Sequence, residues 1–185
     1  INFHGEVIDL ATGTGDIAIS IKEKFPDVKV VGYDPSSMML EIAKKKNSDN
    51  TICFKKGFCE EMPFLDSSFN FATITFGIRN TKSIANSLSE IKRVLKKDGV
   101  LMIMEFSKSE NFLIKNLYNI YLNYIIPFIG FLFSKYDEYK YLANSIESFY
   151  SKDEMNLVLS KSGFTVNKNV QYNFGLVTIY IATKS

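Results

Sequence analysis

Three carboxylates and one arginine stand where this sequence could do chemistry. Asp9 lies four residues before the first glycine of VIDLATGTGDIA, residues 7–18. Asp34 closes a second apolar run, and Arg79 and Glu105 follow two more. Apolar run, glycine turn and helical pattern together make a site for a nucleotide-like ligand. The backbone can approach closely at Gly13 and Gly15, and the next helix offers free N–H groups. Gly13-Thr14-Gly15-Asp16-Ile17-Ala18 formally fits the dinucleotide fingerprint, with Asp34 as its ribose-binding acid. The same features suit S-adenosylmethionine, which carries a ribose but no phosphate. Asp9 favours the latter: a carboxylate there repels a pyrophosphate, yet helps order a site for a sulfonium and an amino group. Of the 22 basic residues only Arg79 and Arg93 are arginines, which raises the question of what a lysine could not do there.

Other chemistries are limited by composition. A net charge of +2 gives no electrostatic case for nucleic acid as a partner. His4 is the single histidine, so histidine-based triads and multi-histidine metal sites are excluded, and no metal is expected. Cys53 and Cys59 lack metal-ligand spacing and read as packing thiols of a reducing compartment.

The elements that must position these residues alternate between strand and helix. Val7–Leu10, Val28–Tyr33, Ile52–Phe54, Phe69–Phe76 and Val100–Phe106 read as buried strands. Asp16–Phe25 is a predicted helix stopped by Pro26. Ser36 or Ser37 caps the next, whose apolar face is Met38, Met39, Ile42 and Ala43 and whose last turn carries Lys44–Lys46. Ile84, Leu88, Ile91 and Leu95 define a third helix, ended by Gly99. The alternation predicts an α/β, Rossmann-like fold with a mostly parallel sheet and helices on both faces. Ser151 with Glu154 forms a capping box ahead of a helix closed at Gly163. Phe164–Val170 and Gly175–Thr183 then form an antiparallel C-terminal hairpin at a sheet edge.

One stretch breaks the alternation. Residues 116–134 carry no charge, but Asn116, Asn119 and Asn123 share a helical face, and Pro127 and Gly130 interrupt the segment. These features favour an amphipathic helix and turn over a bilayer span, with Tyr118, Tyr121 and Tyr124 suited to a lid over an apolar ligand or to a membrane interface. The expectation is one domain, 1–185, with a helical lid insertion at 108–150. The first strand opens at Val7 with no Met before it, which points to a piece of a longer protein lacking preceding helices.

The sequence resembles the ubiquinone/menaquinone-biosynthesis C-methyltransferase family. The matching stretches are DLATGTGD (Asp9–Asp16), MPFLDSSFN (Met62–Asn70), ITFGIRN (Ile74–Asn80), RVLKKDGVLMIMEFS (Arg93–Ser107), YKYLANSI (Tyr139–Ile146) and GLVTIYIATK (Gly175–Lys184). The resemblance implies a class I methyltransferase with a seven-stranded sheet, one strand of it antiparallel near an edge. It implies S-adenosyl-L-methionine as cofactor and methylation of a ring carbon of a polyprenylated hydroquinone, either demethylmenaquinol or 2-methoxy-6-polyprenyl-1,4-benzoquinol. The implied cofactor contacts are Thr14, Asp34, Phe58, Cys59 and Thr75, with Gly13 and Gly15 shaping the loop beside Asp9. Members usually carry Asp or Asn, then Ala, then Glu where this chain has Phe58-Cys59-Glu60. The side-chain bond to the adenine amino group is therefore lost, while a phenyl ring can stack there instead. Lys97-Asp98 replaces the usual Pro-Gly, a change confined to a turn.

A phenol ring carbon becomes nucleophilic when its hydroxyl, of unperturbed pKa about 10, is held as phenolate. With no histidine to act as base, a fixed cation must hold that oxyanion, and Arg79 is the catalytic candidate. Asn80 is either a substrate contact or a helix cap. Glu105 orients Arg79, accepts the ring proton or forms a structural ion pair, and Tyr121 and its neighbours would line the prenyl channel. The implied setting is a peripheral membrane enzyme: cytoplasmic at the inner membrane face in a bacterium, or on the matrix side of the mitochondrial inner membrane in a eukaryote, as a homodimer or within a biosynthetic complex. Alternatives are a methyltransferase for a phenolic or sterol-like lipid, a nicotinamide-dependent oxidoreductase, and a non-catalytic partner that keeps the fold.

Overall fold

The computed structural model describes residues 1–108 and 136–185. Five strands run parallel: β1 (Glu6–Leu10), β2 (Lys29–Asp34), β3 (Ile52–Lys56), β4 (Phe69–Thr75) and β5 (Leu95–Phe106). Two more, β6 (Phe164–Tyr172) and β7 (Val177–Lys184), close one edge. The sheet order is β3-β2-β1-β4-β5-β7-β6, and β7 runs antiparallel to both its neighbours. The order reverses direction between β1 and β4, so the carboxyl ends of those two strands flank a crevice where such sheets bind ligands. The seven strands and the edge hairpin agree with the expected class I architecture.

Helices α1 (Asp16–Lys24), α2 (Ser37–Lys46), α3 (Ile84–Val94), α4 (Tyr136–Ser148) and α5 (Lys152–Lys161) complete the described chain. Ala18 and Ile21 of α1 pack with Val7, Val30 and Phe71 on one sheet face. Leu88 and Ile91 of α3 and Met155 and Leu159 of α5 pack with Ile8, Ile74 and Ile103 on the other. Serines set the helix starts. Ser36 and Ser83 accept from the main-chain N–H of Met39 and Asn86, at 3.3 and 3.2 Å. Ser151 and Glu154 cap each other reciprocally, as the spacing required.

Three expectations need correction. On α2 the buried apolar residues are Leu40 and Ala43, whereas Met38, Met39 and Ile42 stay exposed, because the helix touches β2 and β3 by a narrow stripe. Helix α3 ends at Val94, not at Gly99. Leu95 already pairs with Phe69, and Asp98 (φ 59°) makes the left-handed turn before the main pairing resumes at Val100. Cys59 is a packing thiol, but Cys53 is exposed on the edge strand β3. Residues 116–134, with Tyr121 and the other tyrosines read as a lid, lie outside the described residues.

Candidate functional site

The glycine turn after β1 owes its shape to two hydrogen-bonded carboxylates. Asp9 is 1% exposed, and its two oxygens accept from the Thr12 and Thr73 hydroxyls, each at 2.6 Å. Burial pushes its carboxyl up to about 6 despite those two donors. Asp9 is thus a brace beneath the loop that ties β1 to β4. Asp34, at the end of β2, accepts from the Gly13 N–H at 2.9 Å with one oxygen and from the Ser36 N–H at 2.8 Å with the other.

A cleft of about 500 Å³ opens over this turn. Gly13, Asp34, Phe58, Cys59 and Asn80 all line it, so five of the predicted site residues converge from four separate segments. Gly13 (φ 55°) has nothing within 4 Å of where a Cβ would stand, so the backbone faces open space. At Gly15 (φ 81°) a Cβ would meet Ala43 at 2.9 Å and the Phe54 ring at 3.1 Å, so only glycine lets α1 start so close to α2 and β3. Thr14 bonds to Asp16, which Lys46 also holds at 2.8 Å. Thr75 is partly buried at the end of β4. Cys59 is buried, and the loss of solvent drives its thiol up to about 12, so it is a neutral wall and not a nucleophile.

The second half of the site follows β4. Gly77 opens a short 3-10 turn, Ile78–Asn80, whose Arg79 side chain is only 8% exposed. Arg79 Nη1 donates to Glu105 Oε1 at 2.6 Å and to the Phe76 carbonyl at 2.9 Å. The guanidinium also stacks 5.2 Å from the Phe106 ring centre. Its Nε is buried without a hydrogen-bond partner. Glu105 is wholly buried at the end of β5, where desolvation raises its pKa against the pull of Arg79. Its remaining bonds come from the main-chain N–H groups of Phe106 and Arg79, at 2.9 and 3.5 Å. Asn80 is exposed, accepts from the Tyr141 hydroxyl of α4 at 3.1 Å, and leaves the capping of α3 to Ser83.

Several site residues escaped the sequence reading. Ala11 (φ 49°) and Phe76 (φ 53°) hold left-handed backbone at the ends of β1 and β4, where both border the cleft. No residue type marks such positions. Thr73 braces Asp9 because parallel pairing sets the two side by side, a fact of register. Met39 and Lys82 also line the cleft, from α2 and from the segment before α3.

Residues 3–184 match the model of the ubiE/COQ5 methyltransferase family. The chain belongs to that family. It is 39% identical over 185 residues to the ubiquinone/menaquinone biosynthesis C-methyltransferase UbiE of Geotalea uraniireducens, spanning 97% of this chain and 79% of that protein. It is 41% identical over 180 residues to the demethylmenaquinone methyltransferase of Chlorobaculum parvum, spanning 97% and 73%. In fold it is similar to a SAM-dependent methyltransferase from Thermotoga maritima, with a TM-score of 0.73 at 24% identity over 100% of this chain and 84% of that one. A second SAM-dependent methyltransferase, from Aquifex aeolicus, gives 0.72 at 20% identity over 97% and 82%.

The family member described here is therefore an S-adenosylmethionine-dependent C-methyltransferase. The cleft fits that cofactor. The open backbone at Gly13 leaves room for the ligand, the Asp34 carboxylate suits ribose hydroxyls, and Pro35, Met39, Phe58 and Cys59 form an apolar wall for a base. When bound, S-adenosylmethionine supplies an electrophilic methyl group.

Proposed function

We propose that the methyl acceptor is the ring carbon of a polyprenylated hydroquinone, demethylmenaquinol or 2-methoxy-6-polyprenyl-1,4-benzoquinol, so that the chain acts in quinone biosynthesis. The carrying observation is the buried Arg79–Glu105 pair beside a cleft bordered by Phe76, Gly77 and Asn80. Arg79 is the catalytic residue of this reading. Its planar cation holds a ring hydroxyl as phenolate, which places charge on the ortho carbon that is methylated. Glu105 is the positioning residue, because a wholly buried carboxylate bonded to Arg79 aims the guanidinium and does not meet the ring itself. Holding the carbon in line with the methyl group supplies about 7–11 kcal/mol of the barrier reduction.

Asp34, Thr14, Thr75 and the Cys59 backbone belong to the cofactor side of this proposal, and Asn80 to the substrate side. The lid of this reading is assigned to the 108–150 insertion, of which residues 109–135 lie outside the described residues. Within it, α4 reaches the site through the Tyr141–Asn80 bond and buries Ala143 and Ile146 near Phe106. A prenyl tail brings such a substrate to a membrane surface, and peripheral association is part of the reading. No helix among the described residues is long and apolar enough to cross a membrane.

The decisive experiment offers each quinol to the purified protein with labelled S-adenosylmethionine and locates the label by mass spectrometry. Ring-carbon methylation of one of them is expected, and labelling of neither would overturn the assignment. Flotation with anionic vesicles tests membrane association separately.

A further inference from the structure

We infer that the buried hydroxyls of Ser107, Thr178 and Tyr180 hold ordered water against Glu105, and so act through that carboxylate as positioning residues for Arg79. The inference rests on the reading of Arg79 as the catalytic residue and adds what keeps its carboxylate partner charged. Strands β5 and β7 set the four side chains together. Glu105 pairs with Thr178 and Ile103 with Tyr180, and the Ser107 N–H donates to the Leu176 carbonyl at 2.9 Å. Opposite residues of an antiparallel pair share a face, and every second residue returns to it. Glu105, Ser107, Thr178 and Tyr180 therefore lie on one face, and all four are buried. Their surroundings are apolar, built from Ile74, Ile103, Met155 and Leu159.

This polar file is unfinished. The Ser107, Thr178 and Tyr180 hydroxyls are buried without a hydrogen-bond partner among the described residues. Burial pushes the Tyr180 phenol up while the Ser107 and Thr178 hydroxyls pull against it, so the three oxygens converge without closing a bond. Glu105 has capacity left as well. Its Oε1 accepts from Arg79 Nη1 and the Phe106 N–H, whereas its Oε2 accepts only from the Arg79 N–H, at 3.5 Å. Buried polar groups are paired as a rule, and a buried water makes about three bonds to groups the chain leaves over. A water that accepts from one hydroxyl and donates to Oε2 completes both sides. It also adds a donor to a carboxylate whose charged form burial disfavours, which keeps Glu105 ionised and Arg79 aimed. The charged and titratable groups facing the file among the described residues are Arg79 from the turn after β4, Glu105 from β5, Tyr180 from β7 and the exposed Asp153 of α5.

Two measurements on the whole chain test this without a methyl acceptor, so they stand apart from the quinol assay. A high-resolution crystal structure should show ordered water within hydrogen-bond distance of Glu105 Oε2 and of at least one of the three hydroxyls. Infrared titration of protein carrying isotope-labelled glutamate, with Glu105→Gln to identify the band, reads the protonation of Glu105 directly. Tyr180→Phe and Thr178→Val each delete one hydroxyl and nearly keep the shape. Each should raise the Glu105 midpoint by about one pH unit, because the charged form loses a donor. If Tyr180→Phe does not fold, Thr178→Val carries the same test. Absence of the water, or a midpoint unchanged or lowered in the variants that fold, overturns the proposal. A raised midpoint in a chain that methylates neither quinol leaves the water site standing and removes only the reading of Arg79.

Discussion

An arginine stands beside each end of β4, Arg93 from α3 and Arg79 from the turn that follows the strand, and the two are built differently. At the amino end, Arg93 satisfies each of its three nitrogens. Nε and Nη2 donate to Glu90 at 2.7 and 2.8 Å, Nη1 to Asp66 and the Phe64 carbonyl at 2.7 Å, and Nη2 also to the Met62 carbonyl at 2.8 Å. This fork fastens the loop before β4 onto α3. It lowers the Glu90 pKa, raises that of Arg93 itself, and remains 31% exposed. At the carboxyl end, Arg79 is almost wholly buried, is held by one carboxylate and one carbonyl, and keeps a buried Nε without a partner. Lysine, a point donor, could replace neither. Arg93 uses its planar fork to hold the protein, whereas Arg79 retains unspent donor capacity next to the cleft. Unsatisfied capacity, strained backbone at Ala11 and Phe76, and carboxylates pushed up by burial all gather at the same edge.

The sharpest way to break this contrast is Arg79→Lys. Turnover should fall at least about 100-fold, while calorimetric binding of S-adenosylhomocysteine is retained. Unchanged turnover would remove the catalytic assignment. Arg93→Ala should do the opposite, lowering stability by about 2 kcal/mol in urea denaturation with kcat within twofold of the wild type. A collapse of kcat without a loss of stability would abolish the distinction between the two ends.

Asp9 probes the carboxyl edge through pH. Its folded-state pKa, about 6, lies above the ordinary aspartate value of 3.8, so the folded protein binds more protons between those pH values. Its burial therefore costs stability at neutral pH, and that cost disappears as pH falls towards 4. Asp9→Asn has no such charge to bury. The stability of the wild type relative to Asp9→Asn should rise by about 2 kcal/mol between pH 7.5 and 4.5, and a flat difference would contradict the burial of the charge. The smallest effect belongs to the amino end. Asp98 holds φ 59° in the turn before Val100, so Asp98→Gly should stabilise the chain by about 0.5 kcal/mol without touching turnover. A loss of stability would mean that the Asp98 side chain contributes more than its backbone conformation costs.

Much of the scaffold was legible because it is governed by local periodicity. The apolar and β-branched run Phe69–Thr75, the serine caps at 36 and 151, and the turn glycines at 13 and 15 are where one-dimensional spacing placed them. The α2 face was misread because which stripe of a short helix is buried depends on its docking angle, and Met38 and Ile42 lie just off that stripe. Gly99 was misread as a helix stop because the turn it belongs to joins two parts of one strand.

By itself the sequence determined the order of strand and helix, the glycine turn after β1, and the family, since each rests on neighbouring residues or on motifs. Only the tertiary structure decided which groups are dry and which are partnered. It buried Asp9 between two threonine hydroxyls, joined Arg79 to Glu105 across two strands, and left the Phe58 ring open under the Lys82 ammonium. Burial and long-range pairing follow from register between strands far apart in the chain, and those set the charge of each group that the glycine turn brings to the cleft.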